Sequence, residues 1–245
     1  MANGSRKAGI GLLVIVLVLL GVVVAADRGA AWAAEGRISE QVAEKAAERD
    51  IAMQGEPEVT VEGFPFLTQV FGGEYQAITI VMRKLSVDGV TVERLDVRAT
   101  TVKAELSDVM NGTGEIRAGH VTGEATVPFA AVEEVIGIEG GSVDGADGKL
   151  LIHVPFDYGS GSIRAVAVAS VKVKGTVLHV DVESIRPEKG KLPSFAQSAL
   201  DDYAGELSRD IKLPKLPYDM KITSAKVTGA GVVAVAEADN VPLTS

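Results

Sequence analysis

The chain has 245 residues, 47% of them hydrophobic and only 4% aromatic, so it is long and apolar enough to bury a sizeable core that is rich in aliphatic side chains. Its formal net charge of −9 and its pI of about 4.9 argue against a nucleic-acid partner, because phosphate backbones are bound by clustered lysines and arginines. The absence of cysteine excludes disulfides, thiolate nucleophiles and cysteine zinc sites.

Near the N-terminus lies a segment that is long enough to cross a membrane. Nineteen uncharged residues separate Lys7 from Asp27, and an apolar helix of that length spans the roughly 30 Å of bilayer hydrocarbon. Because Arg6 and Lys7 precede it, the positive-inside rule predicts a cytoplasmic N-terminus and an extracytoplasmic body. A cleavable signal peptide ending at Ala31-Trp32-Ala33 is the alternative, and it predicts a secreted or periplasmic body. The length of the apolar segment favours the uncleaved, single-pass anchor.

Residues 33–50 predict an amphipathic helix that is rich in alanine and glutamate. Ile38, Val42 and Ala46 recur at a spacing of four and form a narrow apolar stripe. Two roles fit this helix equally: a stalk next to the membrane, or a helix that packs onto the later sheet.

Beyond Pro57 the sequence predicts antiparallel strands separated by turns. Two period-2 apolar series, in residues 150–158 and 163–173, predict a hairpin with one apolar face. Within residues 90–106 the apolar positions change parity twice, which predicts β-bulges and a strongly bent sheet. Four dipeptides are suited to turns with positive φ: Asp88-Gly89, Asn111-Gly112, Asp144-Gly145 and Asp147-Gly148.

Two helices and a final hairpin are predicted in the second half of the chain. A short helix follows Pro128 and ends at Gly140-Gly141. A longer helix begins at Ser194, which has the capping-box spacing to Gln197. Residues 220–238 predict the hairpin. The longer helix has an apolar stripe with a four-residue repeat: Ala199, Tyr203, Leu207 and Ile211.

The sequence offers little catalytic chemistry. The histidines lie in predicted strands without the spacing of a metal pair, and neither a G-x-S-x-G elbow nor a phosphate-binding G-x-x-x-x-G-K-[ST] loop occurs. Residues 140–148 carry two aspartates but lack the ligand spacing of an EF-hand. We therefore predict no enzyme activity, no catalytic residue, no metal site and no cofactor. Arg164, Lys172 and Lys174 share one parity of a strand, as either an ordinary exposed face or a docking patch for anionic headgroups.

The sequence GFPFLTQVFGG, residues 63–73, contains three of the six phenylalanines. Pro65 removes a ladder donor, and Gly63 and Gly72-Gly73 are flexible points at either end, so the segment cannot be one strand. It predicts an irregular or one-to-two-turn helical segment between two strands. One interpretation is an apolar corner that closes the end of the sheet.

This segment and the C-terminal sequence together resemble a known family. GFPFLTQVFGGEY, the N-terminal anchor and the late segments LPKLPY and KITSAKVTGAGVV are similar to the LmeA-like phospholipid-binding family of actinobacterial cell-envelope proteins. The resemblance implies an α+β fold, in which a strongly curved antiparallel sheet wraps around a long helix as in tubular lipid-binding domains. We therefore divide the chain into an anchor or signal segment, residues 1–32, and an extracytoplasmic lipid-binding domain, residues 33–245.

The resemblance also implies a function and partners. It implies phospholipid binding at the membrane in the service of cell-envelope lipid or lipoglycan biogenesis, with envelope-assembly proteins as further partners. A bent sheet lined by small aliphatic side chains leaves room for acyl chains, and each methylene taken out of water contributes roughly 0.8 kcal/mol. The predicted lipid-binding residues are Phe64, Pro65, Phe66, Leu67, Val70, Phe71, Phe195, Tyr203 and Leu207.

Two other functions remain open on sequence grounds. The first is a non-enzymatic envelope scaffold whose core is fully packed, and the volume of its interior cavities distinguishes it from a lipid binder. The second is an enzyme that acts on lipoglycan, for which the sequence shows no acid–base or metal constellation.

Overall fold

The protein combines four helices with eleven strands in the part of the chain that the computed structural model describes. Side chains are described from residue 16 onward, Val87 excepted. The described residues are 4–87, 90–105, 107, 116–137, 140–159, 161–213 and 215–243. The helices are α1 (Gly4–Glu48), α2 (Phe66–Gly72), α3 (Phe129–Ile136) and α4 (Ser194–Leu207), together with a 3-10 helix at Pro217–Asp219. The strands are β1 (Glu58–Glu62), β2 (Glu74–Val87), β3 (Val90–Lys103), β4 (Arg117–Val127), β5 (Ser142–Ala146), β6 (Lys149–Tyr158), β7 (Gly161–Lys174), β8 (Val177–Pro187), β9 (Arg209–Lys212), β10 (Lys221–Thr228) and β11 (Gly231–Pro242).

The strands form two antiparallel sheets. One has six strands in the order β1-β2-β3-β4-β11-β10, and the other has five in the order β5-β6-β7-β8-β9. The α+β class and the N-terminal apolar helix are therefore as predicted. A single, strongly curved sheet wrapped around a long helix is not confirmed, because the strands divide between two open sheets and α4 packs on β8 and β6 of the second.

Each sheet has its own hydrophobic core. The α1 core lies on the six-stranded sheet and includes Ala31 of α1 with Phe66 and Val70 of α2. The α4 core joins the five-stranded sheet to α4 and to the hairpin β10–β11, and Leu200 of α4 is fully buried in it. The hairpin β10–β11 belongs to the first sheet but contributes side chains to the second core, so it connects the two halves of the body.

Helix α1 continues without interruption from the apolar segment into the body. Its 45 residues form a helix about 68 Å long. Beyond Asp27 the helix packs on β1, and Ala31, Ile38 and Ala46 face the protein. Of the two roles that the sequence allowed for this region, the structure shows the helix that packs onto a sheet. The predicted boundary between residues 32 and 33 falls inside α1.

The predicted hairpin of the second sheet is confirmed. Strands β6 and β7 pair from Leu150 to the turn after Tyr158, and alternate residues of β6 are buried. Asp147 and Gly148 form the preceding turn with φ of 52° and 74°. The dipeptide Asp144-Gly145 is not a turn but lies within β5. A side chain at Gly145 would meet the Phe129 ring at 2.6 Å, so close packing explains this glycine.

Between Ala99 and Val102 of β3, the buried positions change parity because of a local backbone conformation and not because of a register shift. Ala99 and Val102 are both buried although they are three residues apart, and Thr101 between them has a φ of 51°. The pairing of β3 keeps one register on both sides, and the register shifts lie instead at Val168/Ala169 and Ile222/Ser224. The predicted bulges in β3 are therefore wrong. The dipeptides Asp88-Gly89 and Asn111-Gly112, together with Leu106, lie outside the described residues.

The two helices of the second half differ from prediction at their ends and faces. Helix α3 ends at Gly137, whose left-handed conformation caps it, before the predicted glycine pair. In α4, Pro193 holds the N-cap position and no side chain caps the helix, so the predicted capping box is wrong. The Gln197 amide instead donates to Asp201.

The buried face of α4 is also rotated from the predicted one. Ala196, Leu200 and Leu207 are buried and Tyr203 is half-buried, whereas Ala199 is exposed. A strict four-residue spacing advances by about 40° more than a full turn at each step, so it drifts off the face that a straight helix buries.

We expect Leu200→Ala to destabilise the body by about 2–5 kcal/mol, because it removes buried methyl groups and leaves a cavity between α4 and the five-stranded sheet. Chemical denaturation of the full chain in detergent micelles, followed by circular dichroism, measures the change. Ala199→Ser on the exposed face of the same helix is the control and should leave the free energy of unfolding almost unchanged. Equal effects of the two substitutions would contradict this assignment of the buried face.

A carboxylate links three strands across the first sheet. Glu62 of β1 accepts hydrogen bonds from Thr79 of β2 at 2.8 Å and from Arg98 of β3 at 2.6 and 3.0 Å. The bonds from Arg98 and then Thr79 lower the pKa of Glu62 from 4.5 to about 2. The ionised form is therefore the one that the folded sheet stabilises.

This pairing predicts a pH dependence. A pKa that is lower in the folded than in the unfolded chain stabilises the fold above about pH 4.5, and that stabilisation disappears as the pH falls toward 2. Glu62→Gln should therefore lower the melting temperature at pH 7 but have progressively less effect in acid. The exposed Glu93→Gln on β3 is the matched control. A constant difference between wild type and Glu62→Gln from pH 7 to pH 2 would show that ionisation of Glu62 is not involved.

Candidate functional site

The contact between α1 and α2 depends on one buried carboxylate. Asp27 is the first charged residue after the apolar segment, yet only 1% of it is exposed. Its two oxygens accept hydrogen bonds from the backbone N–H groups of Phe66 at 3.0 Å and Leu67 at 2.8 Å. Backbone N–H groups in the first turn of a helix have no partner within the helix. Asp27 of α1 therefore caps α2 and holds it against the end of the apolar segment.

Arg28 extends this contact to the surface. Its Nη2 donates to Asp27 at 2.9 Å and to the carbonyl oxygen of Gly63 at 3.2 Å. The guanidinium carbon lies 5.3 Å from the centre of the Phe64 ring, within the range of a cation–π contact. A cation and an exposed aromatic ring are thus adjacent where α1 enters the body.

Gly63 and Gly73, on either side of α2, have positive φ angles that favour glycine. Gly63 has a φ of 97° before the helix, and Gly73 has a φ of 64° as its left-handed cap. Pro65 lies between them in an extended conformation, and the Phe64–Pro65 peptide bond is cis. This pattern lets the chain leave β1, form two turns of helix and enter β2 within eleven residues, from Gly63 to Gly73.

The aromatic residues of this segment divide into two groups. Phe66 packs in the α1 core with its ring centre 6.2 Å from that of Tyr75, and Val70 is buried beside it. Phe64 and Phe71 face outward and are 62% and 86% exposed. The interpretation as a closed corner is therefore correct for Phe66 and Val70, while the two other rings form an exposed apolar surface.

A groove of about 440 Å³, which we call the α2 groove, lies beside this helix. Its apolar walls come from Phe64, Pro65 and Tyr75, and its other side chains are mostly polar. Gln69 is held in place within it by accepting from the backbone N–H of Gln76 at 2.7 Å and donating to a carbonyl oxygen of β1. The α2 groove is lined by Gly63, Phe64, Pro65, Thr68, Gln69, Glu74, Tyr75, Gln76 and Thr101.

A second groove, of about 540 Å³, lies at the far side of the first sheet. Its surface is both polar and apolar, and three of its residues, Tyr218, Asp219 and Asn240, have a positive φ. Its lining is His120, Tyr218, Asp219, Lys221, Thr223, Glu237, Ala238, Asp239, Asn240, Val241 and Pro242. Neither this groove nor the α2 groove is an enclosed apolar channel.

The histidines are paired with carboxylates. The closest pairs are His120 with Asp239 at 2.8 Å, His153 with Glu188 at 2.6 Å, and His179 with Asp210 at 2.6 Å. Within the described residues, no group of three or more histidine, aspartate and glutamate side chains is arranged to hold a metal ion. The basic residues of β7 are exposed at its two ends, and Arg164 lies 3.6 Å from Glu188.

The predicted lipid-binding residues lie in two separate regions, around α2 and on α4. Those of residues 64–71 surround α2, whereas Tyr203 and Leu207 belong to the α4 core, with the Tyr203 ring centre 5.8 Å from that of Phe156. Phe195 is on α4 as well, and it is 70% exposed. The structure therefore brings the first group together but not the two groups with each other.

Comparison with known proteins identifies the family. Residues 25–237 match the family described as LmeA-like phospholipid-binding. The chain belongs to this family. The LmeA-like match begins two residues before Asp27 and includes the α4 core and most of the α1 core, so the contact between α1 and α2 lies inside the family's shared region.

Other similarities are short. Over 117 residues, 46% of the chain, it is 32% identical to the DNA-directed RNA polymerase subunit beta' of Acinetobacter baylyi and of Acinetobacter baumannii. The match spans 8% of the length of these curated relatives, which is too little to assign an activity to this LmeA-like chain. No solved structure matches the chain significantly.

Sequence reasoning missed Asp27 and Arg28, because it treated Asp27 only as the end of the apolar segment. A signal was present in the sequence: an acidic residue directly after 19 uncharged residues is at a position where burying a charge is costly without hydrogen-bond donors. The partner is 39 residues away in sequence, so no local pattern reveals it.

We expect Asp27→Ala to lower the melting temperature of the full chain by on the order of 5 °C, because two backbone N–H groups of α2 lose their acceptor. Asp27→Asn retains one carbonyl oxygen and should lie between wild type and Asp27→Ala. Glu40→Ala, an exposed carboxylate on the same helix, is the control. If Asp27→Ala melts with the wild type and α2 stays resistant to proteolysis, the cap is not what holds α2.

Proposed function

We propose that the chain is an extracytoplasmic phospholipid-binding protein that stays anchored by α1 and binds lipid at the α2 groove. The observation that carries this proposal is the position of the groove. It is bounded by Phe64 and Gly63, both in contact with Arg28, and Arg28 directly follows the residue that ends the apolar segment. A phospholipid in the bilayer would meet this groove without having to leave the membrane.

The groove and the adjacent Arg28 together carry chemistry that suits the two parts of a phospholipid. A guanidinium forms charge-assisted hydrogen bonds to phosphate oxygens, and the side chain of Arg28 is about half exposed. The exposed Phe64 ring offers an apolar surface to the glycerol end of the acyl chains. Polar side chains of the groove, Thr68 and Gln69 among them, provide hydrogen bonds for the rest of the headgroup.

Retention of α1 is supported by its contacts with the body. In the described chain, α1 is the one helix long and apolar enough to cross a membrane. Cleavage after Ala33 would remove Asp27, which caps α2, and Ala31, which is buried in the α1 core. The body would then lose part of its own packing, which favours the uncleaved anchor over the signal peptide.

The predicted lipid-binding residues take different parts in this proposal. Phe64, Pro65, Leu67 and Phe71 are accessible to lipid from outside, whereas Phe66 and Val70 support the helix from within the core. The other three, Phe195, Tyr203 and Leu207, would line an acyl cleft only if α4 moved away from the five-stranded sheet, because the α4 core is filled by buried side chains.

A role in envelope lipid or lipoglycan biogenesis, with envelope-assembly proteins as partners, is the wider function that we infer from family membership. The second candidate function is a non-enzymatic envelope scaffold. It is favoured by the α4 core, in which Ile152, Val154 and Leu200 are completely buried, as a fully packed scaffold requires. Lipid binding distinguishes the two functions.

We expect Arg28→Gln and Phe64→Ser each to weaken phospholipid binding by about tenfold or more. The first removes charge-assisted hydrogen bonds to the phosphate, and the second removes an apolar side chain whose burial by lipid contributes roughly 1.5–3 kcal/mol. Titration of phosphatidylglycerol into the full chain in detergent, followed by native mass spectrometry, measures binding. Phe195→Ser replaces an equally exposed phenylalanine outside the groove and should bind like wild type.

Melting curves identify variants that lost binding because they unfolded. If Arg28→Gln and Phe64→Ser bind phosphatidylglycerol fully and Phe195→Ser does not, the lipid site is at α4 and its core. No binding by the wild type would favour the scaffold.

A further inference from the structure

Three exposed aromatic rings belong to the segments that meet where α1 enters the body. Trp32 is 77% exposed, and it is joined by Phe64 and Phe71 of the α2 segment. Trp32 is the protein's single tryptophan, and none of these rings has a place in either core. Large aromatic side chains at this density on a surface mark a site of interaction.

The position of Trp32 along α1 can be compared with the thickness of a bilayer. Trp32 lies five residues beyond Asp27, which is about 7.5 Å along the helix axis. The polar layer on each side of the hydrocarbon is roughly 5–7.5 Å thick. If the hydrocarbon ends near Asp27, Trp32 lies at the level of the headgroups, where tryptophan is enriched in membrane proteins.

The α2 segment is held at the same level. Phe66 and Leu67 bond directly to Asp27, and Phe71 is five residues beyond Phe66, so it lies within about 8 Å of that level whichever way α2 points. Phe64 contacts Arg28, and Trp32 follows Arg28 by four residues, on the same face of α1. The rings from two distant parts of the sequence therefore lie around one end of the apolar segment.

We propose that Trp32 and Phe71 are embedded in the headgroup layer of the membrane in which α1 is anchored, and that these two rings hold the body against the membrane surface. The occupant of this apolar surface is the bilayer, because Trp32 follows the exposed apolar residues 16–24 on the same helix and α2 is bonded to Asp27 at the end of that segment. The α2 groove then opens toward the lipid headgroups, and lipid enters it sideways. This inference rests on the proposed anchoring of α1.

The experiment uses the full chain in vesicles of phosphatidylcholine and phosphatidylglycerol. Fluorescence of Trp32 is recorded with lipids brominated at a shallow or a deep acyl position. Because the chain has no cysteine, a spin label at Phe71→Cys reports the depth of α2 by its accessibility to oxygen and to a polar nickel complex. Phe195→Cys, at a similarly exposed phenylalanine on α4, is the matched control.

We expect shallow bromines to quench Trp32 by about half or more, and more than deep bromines do. The label at position 71 should lie at the membrane surface, and the label at position 195 should lie in water. A label at position 71 that is as water-accessible as the one at 195, or emission of Trp32 that bromines do not change, overturns the proposal.

Two measurements separate this proposal from the proposed function. Extraction by alkaline carbonate tests whether α1 is anchored in the membrane. Release of the chain overturns both the anchoring of α1 and the contact of Trp32 and Phe71 with the headgroups. Trp32→Ser changes neither the lining of the α2 groove nor any of the predicted lipid-binding residues. It should bind phosphatidylglycerol in detergent like wild type, yet take up lipid from vesicles several-fold more slowly. Unchanged uptake from vesicles overturns the proposed contact with the headgroups but not the proposed lipid site in the α2 groove.

Discussion

The Asp27 carboxylate accepts backbone hydrogen bonds from Phe66 and Leu67, and through them it fixes α2 to α1. These hydrogen bonds offset the free-energy cost of burying a charged side chain at the end of an apolar segment, where little water is available to solvate it. It also sets the position of Phe64, Phe71 and the α2 groove relative to α1. The location of the candidate lipid site therefore follows from one interaction.

The two sheets differ in what they contribute. The six-stranded sheet carries α1 and α2, and its α1 core is built around small side chains such as Ala31, Ala99 and Ala118 that let the helices approach closely. The five-stranded sheet carries α4 and a core of larger aliphatic side chains around Ile152 and Leu200. We interpret the first as the side that faces lipid and the second as the structural support, joined to the first by the hairpin β10–β11.

The form of phospholipid binding that we propose follows from this division. A deep apolar cleft needs space that side chains leave empty, and the α4 core is filled. A groove beside an anchored helix needs less space, because most of each acyl chain can stay in the bilayer while the headgroup is bound. Arg28 and Phe64 are suited to that partial form of binding.

Local patterns in the sequence by themselves determined the membrane-length apolar segment, the hairpin of β6 and β7, and a short helix between glycines at residues 63–73. These features depend on residues only a few positions apart, so periodicity and turn chemistry are enough to reveal them. The resemblance to the family rested on the apolar segment, on residues 63–73 and on the late segments LPKLPY and KITSAKVTGAGVV.

Only the tertiary structure decided that the strands form two sheets, that α4 buries Leu200 rather than Ala199, and that Asp27 caps α2. Each of these depends on which distant segments meet, and the residues that meet at Asp27 are 39 and 40 positions apart. A pattern along the chain specifies which side chains seek burial or a hydrogen-bond partner. The partner itself is specified by the packing of the whole chain.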